Sequence, residues 1–377
     1  MQEIRIAIIG YGFMGRAHSN AYLKTPKFFD LPAQPVLQVA CGRNAKGVRA
    51  FAERFGWREW DTDWRRVVQR DDVDLVDICL PDDLHMPVAI AAAKAGKHIL
   101  CEKPMARNVQ EAERMYQAAQ RAGICHMIGF NYRRVPAIAL AKRMIEDGRV
   151  GRIYHFHAVY NQDWLSNPQR PFVWRNDRER AGAGALGDLG SHVVDLARYL
   201  VGEIREVVGA QAIFTPERPM PDGSGMRRVT ADDATIFLAR FADGAMGTFQ
   251  VTRCATGCKN DQRIELHGTR GSLAFRQQRL NELQFHDQAL SASEQGWRTM
   301  ICTDRSHPYA AAWWPAGHML GWEHTFVHEV RDLITAIATG GNVSPDFREG
   351  LATQLVLAAV QRSADTGQWV QVDVIGE

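Results

Sequence analysis

Lys103, in Glu102-Lys103-Pro104, follows directly on the apolar run His98-Ile99-Leu100-Cys101. A lysine at the carboxyl end of a buried strand stands where open α/β sheets hold their ligands. Its ordinary pKa of about 10.4 makes it a poor base at neutral pH, and desolvation or a neighbouring cation would lower it toward the working range. Asp188 and His192 lie four residues apart in Gly187-Asp188-Leu189-Gly190-Ser191-His192, at the start of an apolar-striped helix running to about Leu200. Four-residue spacing puts both on one helix face, where a carboxylate and an imidazole can move or orient a proton. The plain alternatives are an exposed strand-end lysine and a buried histidine beside a helix-capping aspartate.

A third pattern offers a place for an anion. The strand-like run Ile4 to Ile9 leads into Gly10-Tyr11-Gly12-Phe13-Met14-Gly15. After a strand, Gly-x-Gly-x-x-Gly permits a tight turn, a close approach to a pyrophosphate and a helix packed with its N-terminus aimed at the anion. That is what a dinucleotide site requires, the plain alternative being a tight structural turn and nothing more. Sites preferring NAD usually carry Asp or Glu at the end of the second strand, but here that place reads Cys41-Gly42-Arg43. With no carboxylate to repel a 2′-phosphate and Arg43 available to pair with it, local chemistry leans toward NADP.

These residues need a frame. Helical stretches over 16–24, Ala45–Phe55, 87–95 and Val109–Ala122 alternate with strand-like runs over 36–40, 74–80, His98–Cys101 and 124–129, predicting a doubly wound parallel sheet over residues 1–129. From residue 130 to 377 the pattern changes. A helix over 137–146 precedes short alternating segments over 153–160, Ala234–Phe241, 245–251 and 263–267, and the chain returns to helix over Glu323–Thr339 and 350–364 before a short strand over 369–374. The expectation is α/β followed by α+β: a dinucleotide domain, then a substrate and oligomerisation domain with a large, mostly antiparallel open sheet flanked by helices.

At 377 residues the chain exceeds the roughly 250–300 at which one core stops growing. Its net charge of +2 without charged blocks argues against a nucleic-acid partner. The seven scattered cysteines suit a reducing cytoplasm, and neither a leader nor a membrane span is read. His324 and His328, flanked by Glu323 and Glu329, have helix spacing open to a metal, but no metal is expected because the order of a His-Glu-x-x-His site is missing. Hydrogen-bonding groups for a polyhydroxylated substrate are available at Tyr132, Arg133, Tyr160, Asp163 and His324, with Trp164, Trp313, Trp314 and Trp322 as apolar platforms.

Taken in order, the glycine turn, Glu102-Lys103-Pro104 and Asp188-x-x-x-His192 resemble the glucose–fructose oxidoreductase, inositol dehydrogenase and MocA family (Gfo/Idh/MocA) over nearly the whole chain. Cys41-Gly42-Arg43-Asn44, Asn131-Tyr132-Arg133-Arg134-Val135-Pro136 and Gln162-Asp163-Trp164 resemble its levoglucosan-oxidising branch. The resemblance implies an NAD(P)-dependent oxidoreductase moving a hydride between a secondary hydroxyl of a sugar, anhydrosugar or cyclitol and the nicotinamide. It implies that Lys103 and His192 hold the reacting hydroxyl, with His192 favoured as proton acceptor and the two roles open to exchange, while Asp188 positions substrate and histidine. Glu102 is implied near the nicotinamide ribose, with Gly10, Gly12, Phe13, Met14, Gly15, Arg43, Leu80, Pro81, His85, Lys103, Asn131 and Arg175 on the cofactor side. The branch resemblance leans toward NAD, so NAD and NADP both stay open. It also implies a homodimer or homotetramer. Two alternatives share the fold: a redox-neutral NAD-dependent glycosidase and a non-catalytic sugar or cofactor sensor.

Overall fold

Six short strands, the four central ones rich in Ile, Val, Leu and Ala, form the parallel sheet of a first unit in the computed structural model, which describes residues 2–375. In chain order they are β1 (Gln2–Ile9), α1 (Phe13–Phe28), β2 (Ala33–Cys41), α2 (Ala45–Phe55), β3 (Glu59–Asp61), α3 (Trp64–Val68), β4 (Leu75–Ile78), α4 (His85–Lys94), β5 (His98–Cys101), α5 (Val109–Ala122) and β6 (His126–Ile128). The sheet order is β3-β2-β1-β4-β5-β6, so the winding reverses between β1 and β4 and the carboxyl ends there open the crevice in which this fold takes ligands. Local chemistry sets the helix ends. Asn44 and Asn108 accept bonds from Gly47 and Glu111 N–H groups at the starts of α2 and α5, and Gly56 and Gly123 close those helices in the left-handed region.

The second unit contains α6 (Pro136–Glu146), β7 (Ile153–Asn161), α7 (Arg178–Ala181), α8 (Ser191–Leu200), β8 (Ile204–Ala212), a β9 (Glu217–Pro219) and β10 (Met226–Arg228) hairpin, β11 (Ala234–Phe241), β12 (Met246–Thr252), β13 (Asp261–Gly268), β14 (Gly271–Arg276), β15 (Glu282–Asp287) and β16 (Trp297–Ile301). With β17 (Val370–Gln371) these build a nine-stranded sheet ordered β16-β15-β14-β13-β7-β12-β11-β8-β17. Every pairing is antiparallel except β7 with β12. Period-two alternation sends Phe156, Phe237 and Phe249 inward, the last two stacked with ring centroids 4.3 Å apart, against the side covered by α6 and α8. The other side leaves Ile236 57% and Trp297 45% exposed.

The last helices are α9 (Glu323–Thr339) and α10 (Phe347–Thr366). The sequence places the boundary after residue 129 and all that follows in one domain. In the structure Gly321–Leu351 joins Met1–Asn131, and the second unit is Tyr132–Leu320 with Ala352–Glu377. The reason is burial: α9 carries Val327, Val330, Leu333 and Ile334 on one face, which it buries while lying along α1, where the Thr25 hydroxyl donates to the Val327 carbonyl at 3.3 Å. No helix among the described residues is long and apolar enough to cross a membrane.

Candidate active site

The glycine turn separates into two kinds of glycine. A Cβ on Gly10, which sits at φ +109°, would overlap the Cys79 carbonyl, and one on Gly15 would overlap the Gly10 carbonyl. Both are required by the fold itself. Gly12 is different, because its backbone is ordinary and nothing lies within 4 Å of where a Cβ would stand. It is the N-cap of α1, which has no side-chain cap, so the open space faces unsatisfied N–H groups followed by Phe13 and Met14. A pyrophosphate fits this cradle by charge and by room. Phe13 stacks on Trp322 with centroids 5.3 Å apart, and Arg43 stands exposed just past β2.

Beneath the cradle lies a buried charged cluster. His18 on α1 brings Nδ1 within 2.9 Å of Asp77 on β4 and Nε2 within 3.0 Å of Glu102 Oε1 at the end of β5. Burial is the largest single influence and lowers its pKa, but the charge and hydrogen bond of Asp77, with Cys79 beside them, together raise it well above the ordinary value, so the ring is an imidazolium donating to two carboxylates. Tyr22 donates to Asp77 at 2.9 Å, and the other Glu102 oxygen accepts the Lys103 backbone N–H at 3.2 Å. Burial pushes the Cys79 thiol up, keeping it protonated. Among the described residues, His18, Asp77 and Cys79 are the trio whose donor atoms converge closely enough for a metal, but hydrogen bonds within the cluster already use them.

His85 corrects an expectation. It was to touch cofactor, yet it is wholly buried, with Nδ1 3.0 Å from the Pro104 carbonyl and Nε2 2.9 Å from that of Leu80. Burial lowers its pKa, and a neutral ring in this place donates its single N–H to one of the two carbonyls, packed between the Leu80-Pro81 loop and the loop carrying Lys103. Asn131 is a brace, donating to Thr325 Oγ1 at 2.8 Å, and the His324 ring nitrogen caps Gly321 N–H at 2.9 Å.

In the second unit, Asp188 falls in a π-helical turn, Leu186–Gly190, that runs into α8 and His192. The helix is therefore not regular throughout: the backbone widens around Asp188, and a four-residue step through the wider turn still returns to nearly the same side as His192. Asp232 pins this turn, its carboxylate accepting from Gly184 N–H at 2.6 Å and Leu186 N–H at 2.9 Å. A Cβ at Gly184 would overlap the Asp232 backbone, and at Gly190 it would press on Leu186. Arg175 reaches Asp188 at 3.6 Å, and the fully buried Arg253, which belongs to no motif visible in the sequence, is held charged chiefly by Asp188 and Asp232 against the burial that lowers its pKa.

His192 is buried, its ring 4.6 Å from that of Tyr132 and 5.9 Å from that of Tyr160. Both phenols were expected to bond substrate, but their hydroxyls bond each other at 2.9 Å within a chain from Gln277 through Tyr132 and Tyr160 to Asn260. They wall in the imidazole. Arg133 is also redirected, to a buried ion pair with Asp195 under Tyr199. Asp163 accepts from Lys259 at 2.7 Å, which holds its carboxyl below the usual range.

Replacing His18 by Leu leaves Asp77 and Glu102 as buried carboxylates without their shared cation, a loss of about 3–5 kcal/mol in urea unfolding. In the wild type the raised His18 pKa stabilises fully below about pH 6.5, and this contribution is lost as pH rises toward the folded-state value. The expected fall is about 1.4 kcal/mol per pH unit in that window. A variant whose stability curve keeps this alkaline slope contradicts the assignment.

Comparison with known proteins agrees with this architecture. Residues 4–130 match the model of the oxidoreductase family NAD-binding Rossmann fold, and residues 138–274 match the GFO/IDH/MocA C-terminal domain. The chain is 43% identical to levoglucosan dehydrogenase of Pseudarthrobacter phenanthrenivorans over the whole of both chains. It superposes with TM-score 0.97 on a levoglucosan dehydrogenase in complex with NADH and levoglucosan, at 44% identity over 99% of this chain and 100% of the other. An oxidoreductase domain protein from Kribbella flavida gives TM-score 0.97 at 50% identity, with 99% and 100% covered. With both family models matched in order and a full-length relative above 40% identity, the chain belongs to the Gfo/Idh/MocA family of oxidoreductases.

Proposed function

We propose that this protein is an NAD-dependent dehydrogenase acting on a secondary hydroxyl of an anhydrosugar such as levoglucosan, or of a related sugar or cyclitol. The observation that carries the reading is full-length likeness to levoglucosan dehydrogenase in a chain that keeps the open Gly12 cradle, Lys103 and the Asp188–His192 turn. When bound, the nicotinamide supplies the hydride acceptor. The chain supplies geometry and proton traffic. Lys103 Nζ donates to the hydroxyl oxygen and offsets the negative charge that grows as the hydride leaves, and His192 takes the hydroxyl proton in oxidation and returns it in reduction. Asp188 orients the imidazole and the substrate, with its own charge steadied by Arg175 and Arg253.

The outward face of the nine-stranded sheet supports a second part of the reading. Ile236, Leu238, Met246, Trp297 and Ile301 are all exposed there, and we assign this face to contact with a second copy of the chain. All seven cysteines are unpaired, which supports a reducing cytoplasm.

Purified protein given NAD and levoglucosan, glucose, xylose or inositols should form NADH with at least one of them. Bound NAD without NADH formation on any sugar overturns the reading. His192→Ala should lower kcat by about 10²–10⁴ while NADH affinity stays within a few-fold, and unchanged turnover removes the histidine from proton transfer. Leu238→Glu should shift the protein to monomer in light scattering, whereas an unchanged mass places the subunit contact elsewhere.

A further inference from the structure

Two glycines that no dinucleotide motif requires point to how the cofactor is chosen. Gly42 directly follows β2, and Gly47 lies in the first turn of α2. Neither sits in the left-handed region, so their backbone does not demand glycine. A side chain at Gly42 would overlap the Tyr11 ring, and a Cβ at Gly47 would stand 2.6 Å from the Tyr11 hydroxyl. The phenol of Tyr11, the residue between the first two glycines of the turn, therefore lies across the end of β2 and onto the start of α2. Its ring is 5.9 Å from Phe51, which anchors it from α2.

This is the position from which a strand-end carboxylate ordinarily reaches the adenosine ribose. Here Gly42 has no side chain and the phenol occupies that space. The charges nearby favour a phosphate: Arg43, Lys46 and Arg49 carry positive charge, and the first turn of α2 has no acidic residue. Arg49 is turned to Glu53 at 2.9 Å, and Arg43 and Lys46 are exposed, so their attraction is weak and screened by salt. Steric overlap is not screened.

We propose that Tyr11 is the cofactor-selecting residue: seated on Gly42 and Gly47, it replaces the strand-end carboxylate, leaves room for a ribose hydroxyl and denies the volume of a 2′-phosphate. The inference rests on the reading of the first unit as a dinucleotide site and makes that site NAD-selective despite its basic rim. Tyr11 acts here by occupancy, so phenylalanine should preserve the choice and alanine should abolish it.

Isothermal titration of NADH, NADPH, 5′-ADP and 2′,5′-ADP into wild type, Tyr11→Phe and Tyr11→Ala tests this without turnover. Wild type and Tyr11→Phe should bind NADH at least a hundredfold more tightly than NADPH. Tyr11→Ala should narrow that ratio at least tenfold through a gain for NADPH, with 2′,5′-ADP following NADPH. Should Tyr11→Ala not fold, as read by circular dichroism, Tyr11→Leu carries the same expectation. Equal binding of NADH and NADPH by the wild type, or an unchanged ratio in a folded Tyr11→Ala, overturns the proposal and leaves the dinucleotide site standing. Binding of neither nucleotide overturns both.

Discussion

The imidazolium of His18, clamped between Asp77 and Glu102, is the interaction on which the first unit turns. It joins three elements through one side chain: the helix that follows the glycine turn, the central strand β4, and the end of β5 from which Lys103 departs. Taking two carboxylates this deep out of water costs several kcal/mol each. One cation facing both, with Tyr22 donating to Asp77, makes the arrangement affordable and directional. Glu102 then has one oxygen committed to His18 and the other to the Lys103 backbone, so the lysine leaves the sheet from a fixed point. His85 packs against the same loop from the other side, its ring between the Leu80 and Pro104 carbonyls.

The second unit solves a similar placement problem with different parts. Its π turn can persist only because Asp232 satisfies the N–H groups at its start and because Gly184 and Gly190 admit close neighbours. Around it, Arg253 and the Arg133–Asp195 pair bury charge that is balanced locally, and the Tyr132–Tyr160 hydroxyl chain uses up polar atoms that would otherwise compete for His192. Burial of satisfied polar groups gives rigidity here, whereas unsatisfied ones would cost stability without fixing any geometry.

The strongest periodic segments were legible from sequence: Ala45–Phe55, Val109–Ala122, Ala234–Phe241 and Glu323–Thr339 have the predicted bounds. So were the turn glycines and the residues of the two motifs. What escaped depends on partners distant in the chain. β8 reads poorly because Gly209 and its alanines lack strand propensity, and it is held by pairing with β11. β14 to β16 alternate weakly because their outward positions mix Ser272, His286 and Trp297 on a face that is not uniformly polar. The π turn is invisible to a 3.6-residue template, and Asp232, which stabilises it, lies more than forty residues away. Tyr132, Tyr160 and Arg133 show as polar side chains in the sequence, while their partners within the same unit, distant in the chain, show only in the fold.

Glycine identity shows how far such legibility extends. Gly10 and Gly15 answer to packing within the turn, and either would be required of any tight strand-to-helix connection of this shape. Gly12 answers to nothing within the protein, so its missing side chain is best explained by something that arrives from outside. Gly42 and Gly47 answer to a single phenol set between the motif's own glycines. A motif written as spacing alone treats Tyr11 as a free position. In three dimensions that position faces the second strand's end, where a carboxylate is conventionally sought, and the absence of a carboxylate there changes meaning once a ring is found in its place. Charge alone argues for a phosphorylated ribose at this rim, and the volume of the Tyr11 ring is the argument against it in the proposal made above, because a solvated guanidinium attracts weakly while two overlapping groups cannot share one space.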